Sequence, residues 1–253
     1  MPTWKPDQYL KFAAERTQPC RDLAARVAIA NPRRAIDLGC GPGNSTEVLA
    51  ERWPLAKVTG LDSSAEMIAK ARAAHPQWHW QAGAIEEWAD GVDGYDVVFS
   101  NAAMQWVPDH HHLFPRLMAR VAAGGALAVQ MPGNYHAEAH RSMREVASRF
   151  PGAQKVREWF THGMEFYYDL LAPRAARVEL WATEYVHVMD GPEDIVEWYK
   201  GTGMRPFLDA LSDDAERARF TAEYLAAIRQ GYPARHDGRV LFPFRRLFLV
   251  AYR

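Results

Sequence analysis

The chain has little of what would place it in several large classes. Cysteine occurs twice in 253 residues, at Cys20 and Cys40, too few for a disulfide framework, so a reducing compartment is expected. Neither charge sign is in excess: 30 Lys and Arg face 31 Asp and Glu, a formal charge of −1. Proteins that hold nucleic acid neutralise phosphates with a basic surplus, and this chain has none. An Asn-Pro-Pro-Tyr-like segment for flipping a base is also missing. No apolar run approaches the ~20 residues that cross a bilayer. Met1–Gln8, with Trp4, Pro6 and Asp7, does not look like a signal peptide. The expectation is a cytoplasmic globular protein whose partner is a small molecule, with no nucleic acid and no membrane.

What is present begins with a core. Apolar residues make up 48% of the chain, which excludes disorder as the dominant state. The length suits one α/β domain with an elaboration. The first half alternates strand-like and helix-like segments, the pattern of a parallel sheet with crossover helices. Strands are predicted at Arg34–Leu38, Lys57–Leu61, Trp78–Gln81, Tyr95–Ser100 and Leu127–Met131. Helices are predicted at Asn44–Arg52, Ser64–Ala74 and Leu113–Val121, and Gly124 with Gly125 turns the chain into the fifth strand. Ahead of the sheet, Pro6 starts a short helix on which Tyr9, Phe12 and Arg16 share a face, and Thr17 and Pro19 open a second. The second half changes character, with helices at Ala137–Phe150, Glu193–Lys200 and Ala215–Arg229, a β-prone run Val178–Val188 and a last strand Leu247–Tyr252. The expected organisation is one domain over 1–253, with N-terminal helices in 1–30 and cap insertions over 134–230.

The segment Asp37-Leu38-Gly39-Cys40-Gly41-Pro42-Gly43-Asn44 joins the first strand to its helix. Alternate glycines let the backbone turn sharply and approach a ligand closely. The dinucleotide spacing G-x-G-x-x-G is broken because Asn44 stands at the third glycine, and Pro42 removes a donor that a pyrophosphate would use. Both features oppose a nicotinamide-dependent oxidoreductase. Asp37 would sit badly beside a phosphate and well beside an ammonium, so the ligand edge reads as zwitterionic, like the methionine tail of S-adenosylmethionine. Asp62 ends the second strand about 20 residues on, where an acid accepts both hydroxyls of a ribose. Its plainer role is to cap the helix that Ser63 and Ser64 introduce. Met67 either packs on an adenine face or belongs to the core. Ala84 and Ile85 read as the end of the third strand, and Asn101 as the end of the fourth. Ligands of open parallel sheets bind beyond the carboxyl ends of the strands, so these residues converge on one crevice.

With these residues in view, the chain resembles the class I S-adenosylmethionine-dependent methyltransferases over essentially its whole length. The resemblance is carried by Trp4-Lys5-Pro6, the glycine segment through Ser45-Thr46, Gly60-Leu61-Asp62-Ser63-Ser64, and Asn101-Ala102 with Gln105-Trp106. Ala128-Val129-Gln130-Met131-Pro132, Met143-Arg144-Glu145, Arg205-Pro206 and Arg246-Leu247-Phe248 extend it. It implies a Rossmann-like α/β fold, mainly a parallel sheet with helices on both faces and a helical cap. It also implies S-adenosyl-L-methionine as cofactor and methyl transfer to a carboxylate of trans-aconitate, giving a monomethyl ester and S-adenosylhomocysteine. Another small carboxylic acid, or a non-catalytic cofactor-binding module, is the alternative. Cofactor contacts are implied for Asp37, Gly39, Gly41, Asp62, Ser63, Met67, Ala84, Ile85 and Asn101, and for Tyr9, Phe12 and Arg16 on an N-terminal helix. Ala84 departs from the common pattern, an acid that accepts from the adenine amino group, so a backbone carbonyl or another side chain must serve.

A carboxylate is ionised at neutral pH, so its methylation needs alignment and no catalytic acid or base. Binding a tricarboxylate or dicarboxylate needs cations and donors, and Arg offers a two-pronged fit. The substrate candidates are Arg16, Arg144, Arg205 and Arg246, with Trp106, Gln130 and Tyr168 as walls or donors. No metal is expected: His136 and His140 lack a further ligand at recognisable spacing and read as surface histidines. Adjacent rings of His110-His111-His112 point apart, leaving one to line the substrate pocket. Trp159, Phe166, Tyr167 and Tyr168 read as cap packing.

Overall fold

The computed structural model describes residues 12–156 and 161–253, so Pro6, Tyr9 and Trp159 lie outside the described residues. Seven strands form one sheet in the order β3-β2-β1-β4-β5-β7-β6. They are β1 (Arg34–Leu38), β2 (Lys57–Asp62), β3 (His79–Ala82), β4 (Tyr95–Asn101), β5 (Val121–Pro132), β6 (Arg177–Met189) and β7 (Val240–Tyr252). β1 pairs in parallel with β2 and β4, β2 with β3, and β4 with β5, while β7 runs antiparallel to β5. The sheet is mainly parallel, as the sequence implied. Ala35, Ile36, Leu38, Val97, Val98 and Phe99 are all buried, which is why β1 and β4 read as continuous apolar runs.

The helices are α1 (Ala13–Arg26), α2 (Asn44–Arg52), α3 (Ala65–Ala74), α4 (Ile85–Ala89), α5 (His110–Ala119), α6 (Glu138–Ala147), α7 (Met164–Leu171), α8 (Pro192–Lys200), α9 (Arg205–Asp209) and α10 (Asp214–Gly231). Several predicted elements need correction. No second helix opens at Thr17 and Pro19, because α1 continues through Pro19 at the loss of one backbone donor. Ala84 and Ile85 do not end β3: the strand stops at Ala82, and Ala84 is the extended N-cap of α4. The last strand starts at Val240, not Leu247. Buried Val240, Phe242 and Phe244 alternate with exposed Leu241, Pro243 and Arg245, and this half-exposed pattern breaks the apolar run on which the shorter strand was read. β5 begins at Val121 because the chain bulges within it: Tyr95 pairs with Val121 but Val97 with Ala126, and Gly124 takes a φ of +76° at the irregularity.

The chain divides into two compact units. The sheet unit comprises 16–133, 160–183 and 246–253, and the helical unit comprises 1–15, 134–159 and 184–245. One core of the sheet unit packs Leu113, Phe114 and Leu117 of α5 and Tyr167 and Leu171 of α7 on Ile36, Val98, Leu127 and Leu249. In the helical unit α10 packs on α6 and α8 around Trp198, Tyr199, Phe220, Tyr224 and Phe242, with Phe12 5.1 Å from Trp198 between ring centroids. Asp213 starts α10 by accepting the Glu216 N–H at 2.8 Å, and Pro192 occupies the first turn of α8.

Candidate active site

The glycine bend after β1 is held by its own hydrogen bonds. The N–H groups of Gly39 and Cys40 both donate to the Leu61 carbonyl of β2, at 2.7 and 3.0 Å. Gly39 has a φ of +75°, and a Cβ on it would stand 2.2 Å from the Cβ of Ala103, so only glycine admits the segment after β4. Ile85 Cδ1 lies 3.8 Å from the same point, bringing the start of α4 to the bend. Gly41, at φ +54°, has no atom within 4 Å of where its Cβ would be, so that side of the bend is open.

Two carboxylates frame the bend. Asp37 is fully buried, and its Oδ2 accepts from Ser45 Oγ at 2.6 Å and Thr46 Oγ1 at 2.7 Å in the first turn of α2. Its Oδ1 has no hydrogen-bond partner among the described residues. Burial raises this carboxyl to about 6, against the pull of the two hydroxyls, and nearby Asp62 adds to the rise. Asp62, half-buried, is a strut: its Oδ2 accepts the Gly41 N–H at 2.9 Å and its Oδ1 the Ser64 N–H at 2.8 Å. The helix cap is Ser64, whose hydroxyl accepts the Met67 N–H at 3.3 Å. Each Asp62 oxygen therefore keeps a lone pair for a further donor. Ser63 is exposed and Met67 half-buried. Cys20 and Cys40 are buried free thiols, and burial pushes both upward, keeping them protonated.

The ends of β4 and β5 form the next part. Asn101 is the register partner of Gln130. The residue after Asn101, Ala102, takes a φ of 55°, a left-handed conformation that costs roughly 1–2 kcal/mol in a residue with a Cβ. Its N–H donates to the Gln130 carbonyl at 2.9 Å, and its carbonyl accepts Gln105 Nε2 at 2.7 Å. Register and alternation put Asp37, Asn101, Gln130 and Arg246 on one face of the sheet, since Asp37 pairs with Phe99, Phe99 with Ala128, and Pro132 with Arg246. Trp106 is half-buried at the end of a short 3₁₀ turn, Met104–Trp106.

A buried relay holds that turn. His110 Nε2 lies 2.9 Å from the Met104 carbonyl, which can only accept, so Nε2 carries the proton. His110 Nδ1 then accepts from the Tyr167 hydroxyl at 2.8 Å, and that hydroxyl accepts the His162 N–H at 3.1 Å. Burial lowers the His110 pKa, which favours this neutral form. His111 and His112 are exposed. Tyr167 is the core-facing member of its pair, while Tyr168 is 51% exposed.

The remaining predicted residues are placed as follows. Arg16 is buried in the sheet unit, and Phe12 packs in the helical core. In the helical unit, Arg144 donates to the Tyr135 carbonyl at 2.9 Å and lies 4.1 Å over the Tyr135 ring, while Arg205 pairs with Asp209 at 3.0 Å. One prediction is overturned. His140 is not a surface residue but fully buried, edge-on to Tyr199 at 4.9 Å, because it shares the apolar face of α6 with Met143 and Ala147. Among the described residues no group of three or more His, Cys, Asp or Glu could hold a metal, and no helix is long and apolar enough to cross a membrane. Sequence reasoning gave no role to Gln105, named His110 only as one of three histidines of which one lines the substrate pocket, and read Tyr167 only as cap packing. Only the Gln105-Trp106 motif itself offered a signal.

A bend of this kind between β1 and α2, with an acid at the end of β2 and the strand order above, defines a class I methyltransferase. A family model described as "Methyltransferase domain" matches residues 12–167. The chain belongs to the trans-aconitate 2-methyltransferase family: it is 51% identical to the protein of that name from Azoarcus sp. (strain BH72), covering all of both chains. It is also 47% identical to the one from Variovorax paradoxus (strain S110), over 98% of this chain and 97% of that one. Among solved structures, YcgJ from Bacillus subtilis superposes with a TM-score of 0.63 at 11% identity, covering 93% of this chain and 98% of that one. Haemonchus contortus phosphoethanolamine N-methyltransferase 2, in complex with phosphomonomethylethanolamine and S-adenosylhomocysteine, gives a TM-score of 0.59 at 18% identity, over 92% and 52%. At such identities these structures show the shared fold.

Proposed function

We propose that this protein transfers the methyl group of S-adenosylmethionine to one carboxylate of trans-aconitate, giving a monomethyl ester and S-adenosylhomocysteine. The acceptor is argued from the full-length relatives of that name. The cofactor reading rests on one observation in this chain: the open Gly41 turn lies beside a buried carboxyl with an unpartnered oxygen and a second carboxylate with capacity to spare. When bound, S-adenosylmethionine supplies an electrophilic methyl on a sulfonium centre.

The chain's own residues supply grip and alignment. Asp37 Oδ1 is the acceptor for an ammonium group, once ionised. Asp62 takes ribose hydroxyls on the lone pairs left by Gly41 and Ser64. Gly39 and Gly41 let the methionine tail approach the backbone, and Arg16, Ser63, Met67, Ala84, Ile85 and Asn101 complete the cofactor side. Arg246 is assigned to a substrate carboxylate, with Gln130 as its diagonal neighbour on the sheet, and Trp106 and Tyr168 are assigned to the same acceptor as walls or donors. No residue is assigned to proton transfer, because an ionised carboxylate gives up no proton. Two neutral buried thiols suit a reducing cytoplasm.

The test is a product analysis with labelled S-adenosylmethionine and a panel of small carboxylic acids. A labelled monomethyl ester of trans-aconitate is expected. Label on another acid would replace the acceptor, and label on none would remove the activity.

A further inference from the structure

The sheet face beyond the strand ends holds polar atoms that the fold leaves unused. Gln130 is fully buried on β5, and neither its Oε1 nor its Nε2 has a hydrogen-bond partner among the described residues. Gln105, 3% exposed, spends its NH2 on Ala102 and leaves Oε1 unpartnered, as does Asn101 with Oδ1. The three residues meet at one strained position: Ala102 follows Asn101 and is bonded at its N–H to the Gln130 backbone carbonyl and at its own carbonyl to the Gln105 amide. A buried amide with both ends unsatisfied is a net loss for folding, and an apolar side chain of similar size would remove it. Its retention calls for a ligand. The Gln130 NH2 is a fully buried donor without a partner among the described residues, and its diagonal neighbour on β7, on the same face, is Arg246. A buried donor beside a cation suits an anion.

We propose that Gln130 is the residue that selects a carboxylate as methyl acceptor. Its Nε2 donates to one oxygen of that carboxylate, and Gln105 holds the Ala102 turn beside it. This rests on the carboxylate-methyltransferase reading above and adds to it a specificity-determining donor.

The test compares Gln130→Leu, Gln130→Met and Gln130→Glu with the wild type in three readouts. These are thermal unfolding, calorimetric binding of S-adenosylhomocysteine, and binding of trans-aconitate to the protein saturated with S-adenosylhomocysteine. The apolar variants are expected to unfold ~2–4 °C higher, because an unsatisfied buried amide is gone. They should bind S-adenosylhomocysteine within about twofold of wild type and trans-aconitate ~10–100-fold more weakly, the loss of one hydrogen bond to a charged group. Gln130→Glu should bind trans-aconitate more weakly than either. Lower unfolding temperatures in both apolar variants, unchanged trans-aconitate binding, or an equal loss of S-adenosylhomocysteine binding would each overturn the proposal. Failure of the wild type to bind any di- or tricarboxylate would instead strike the underlying functional reading.

Discussion

The glycine bend and the core of the helical unit show opposite uses of burial. Around Trp198 the helical unit packs ring on ring, with Phe242 at 5.9 Å, Phe244 at 5.5 Å and His187 at 5.0 Å between centroids. This is packing for stability, where shape and apolar area do the work. At the bend and the strand ends beside it, burial works against stability. An acid is held in the interior with one oxygen unmatched, Ala102 takes a left-handed conformation, and Gln130 is left unsatisfied. Proteins concentrate such costs where a ligand relieves them. The contrast is the physical argument for proposing the chemistry in the sheet unit.

That contrast can be tested by mutation. The largest effect is expected for Gly39→Val, whose side chain meets Ala103 at a φ that L residues rarely adopt. It should abolish S-adenosylhomocysteine binding in calorimetry, and retained binding would remove the bend from the site. Next comes Trp198→Ala, expected to cost ~3–5 kcal/mol in denaturant titration through a cavity in a 2% exposed position. A loss under ~1 kcal/mol would show that the helical core is loosely packed.

Asp37 gives a pH effect of intermediate size. Its folded-state pKa of about 6 lies above the ordinary 3.8, so its charge opposes folding. The associated stability is present below 3.8 and lost as pH rises through about 6. Ligand binding has the opposite sign, because an ammonium needs the ionised form. S-adenosylhomocysteine affinity should fall as pH drops through about 6, and Asp37→Asn should bind weakly with no such step. A step of equal size in both proteins would assign it to another group. The smallest effect is expected for Arg144→Ala, whose guanidinium already has the Tyr135 carbonyl and ring as partners. It should raise the KM for trans-aconitate ~3–10-fold with cofactor binding unchanged. Equal effects on both would reject a substrate role.

The sequence was informative where the signal is local. β1 and α2 have the predicted bounds because an apolar strand, a glycine bend and a proline after the helix all act within a few residues. The candidate residues Gly39, Gly41, Asp62 and Asn101 were proposed for the same reason, since the ends of parallel strands are where such folds bind ligands. What escaped depends on neighbours distant in the chain. The ring that His140 meets belongs to Tyr199, and the hydroxyl that meets His110 Nδ1 belongs to Tyr167, 57 residues away. The start of β7 was hidden because one face of the strand is exposed there. Gln130 was named only as a wall or donor, since nothing in a sequence says that a buried amide goes unpaired.

The most direct test of the account is a calorimetric titration of S-adenosylmethionine into the wild type and Asp62→Ala. The strut role predicts saturable one-to-one binding in the wild type and at least ~30-fold weaker binding in the variant, which loses both the ribose acceptor and the anchor of the Gly41 turn. Equal affinity in the two proteins, or no binding in the wild type, would contradict it.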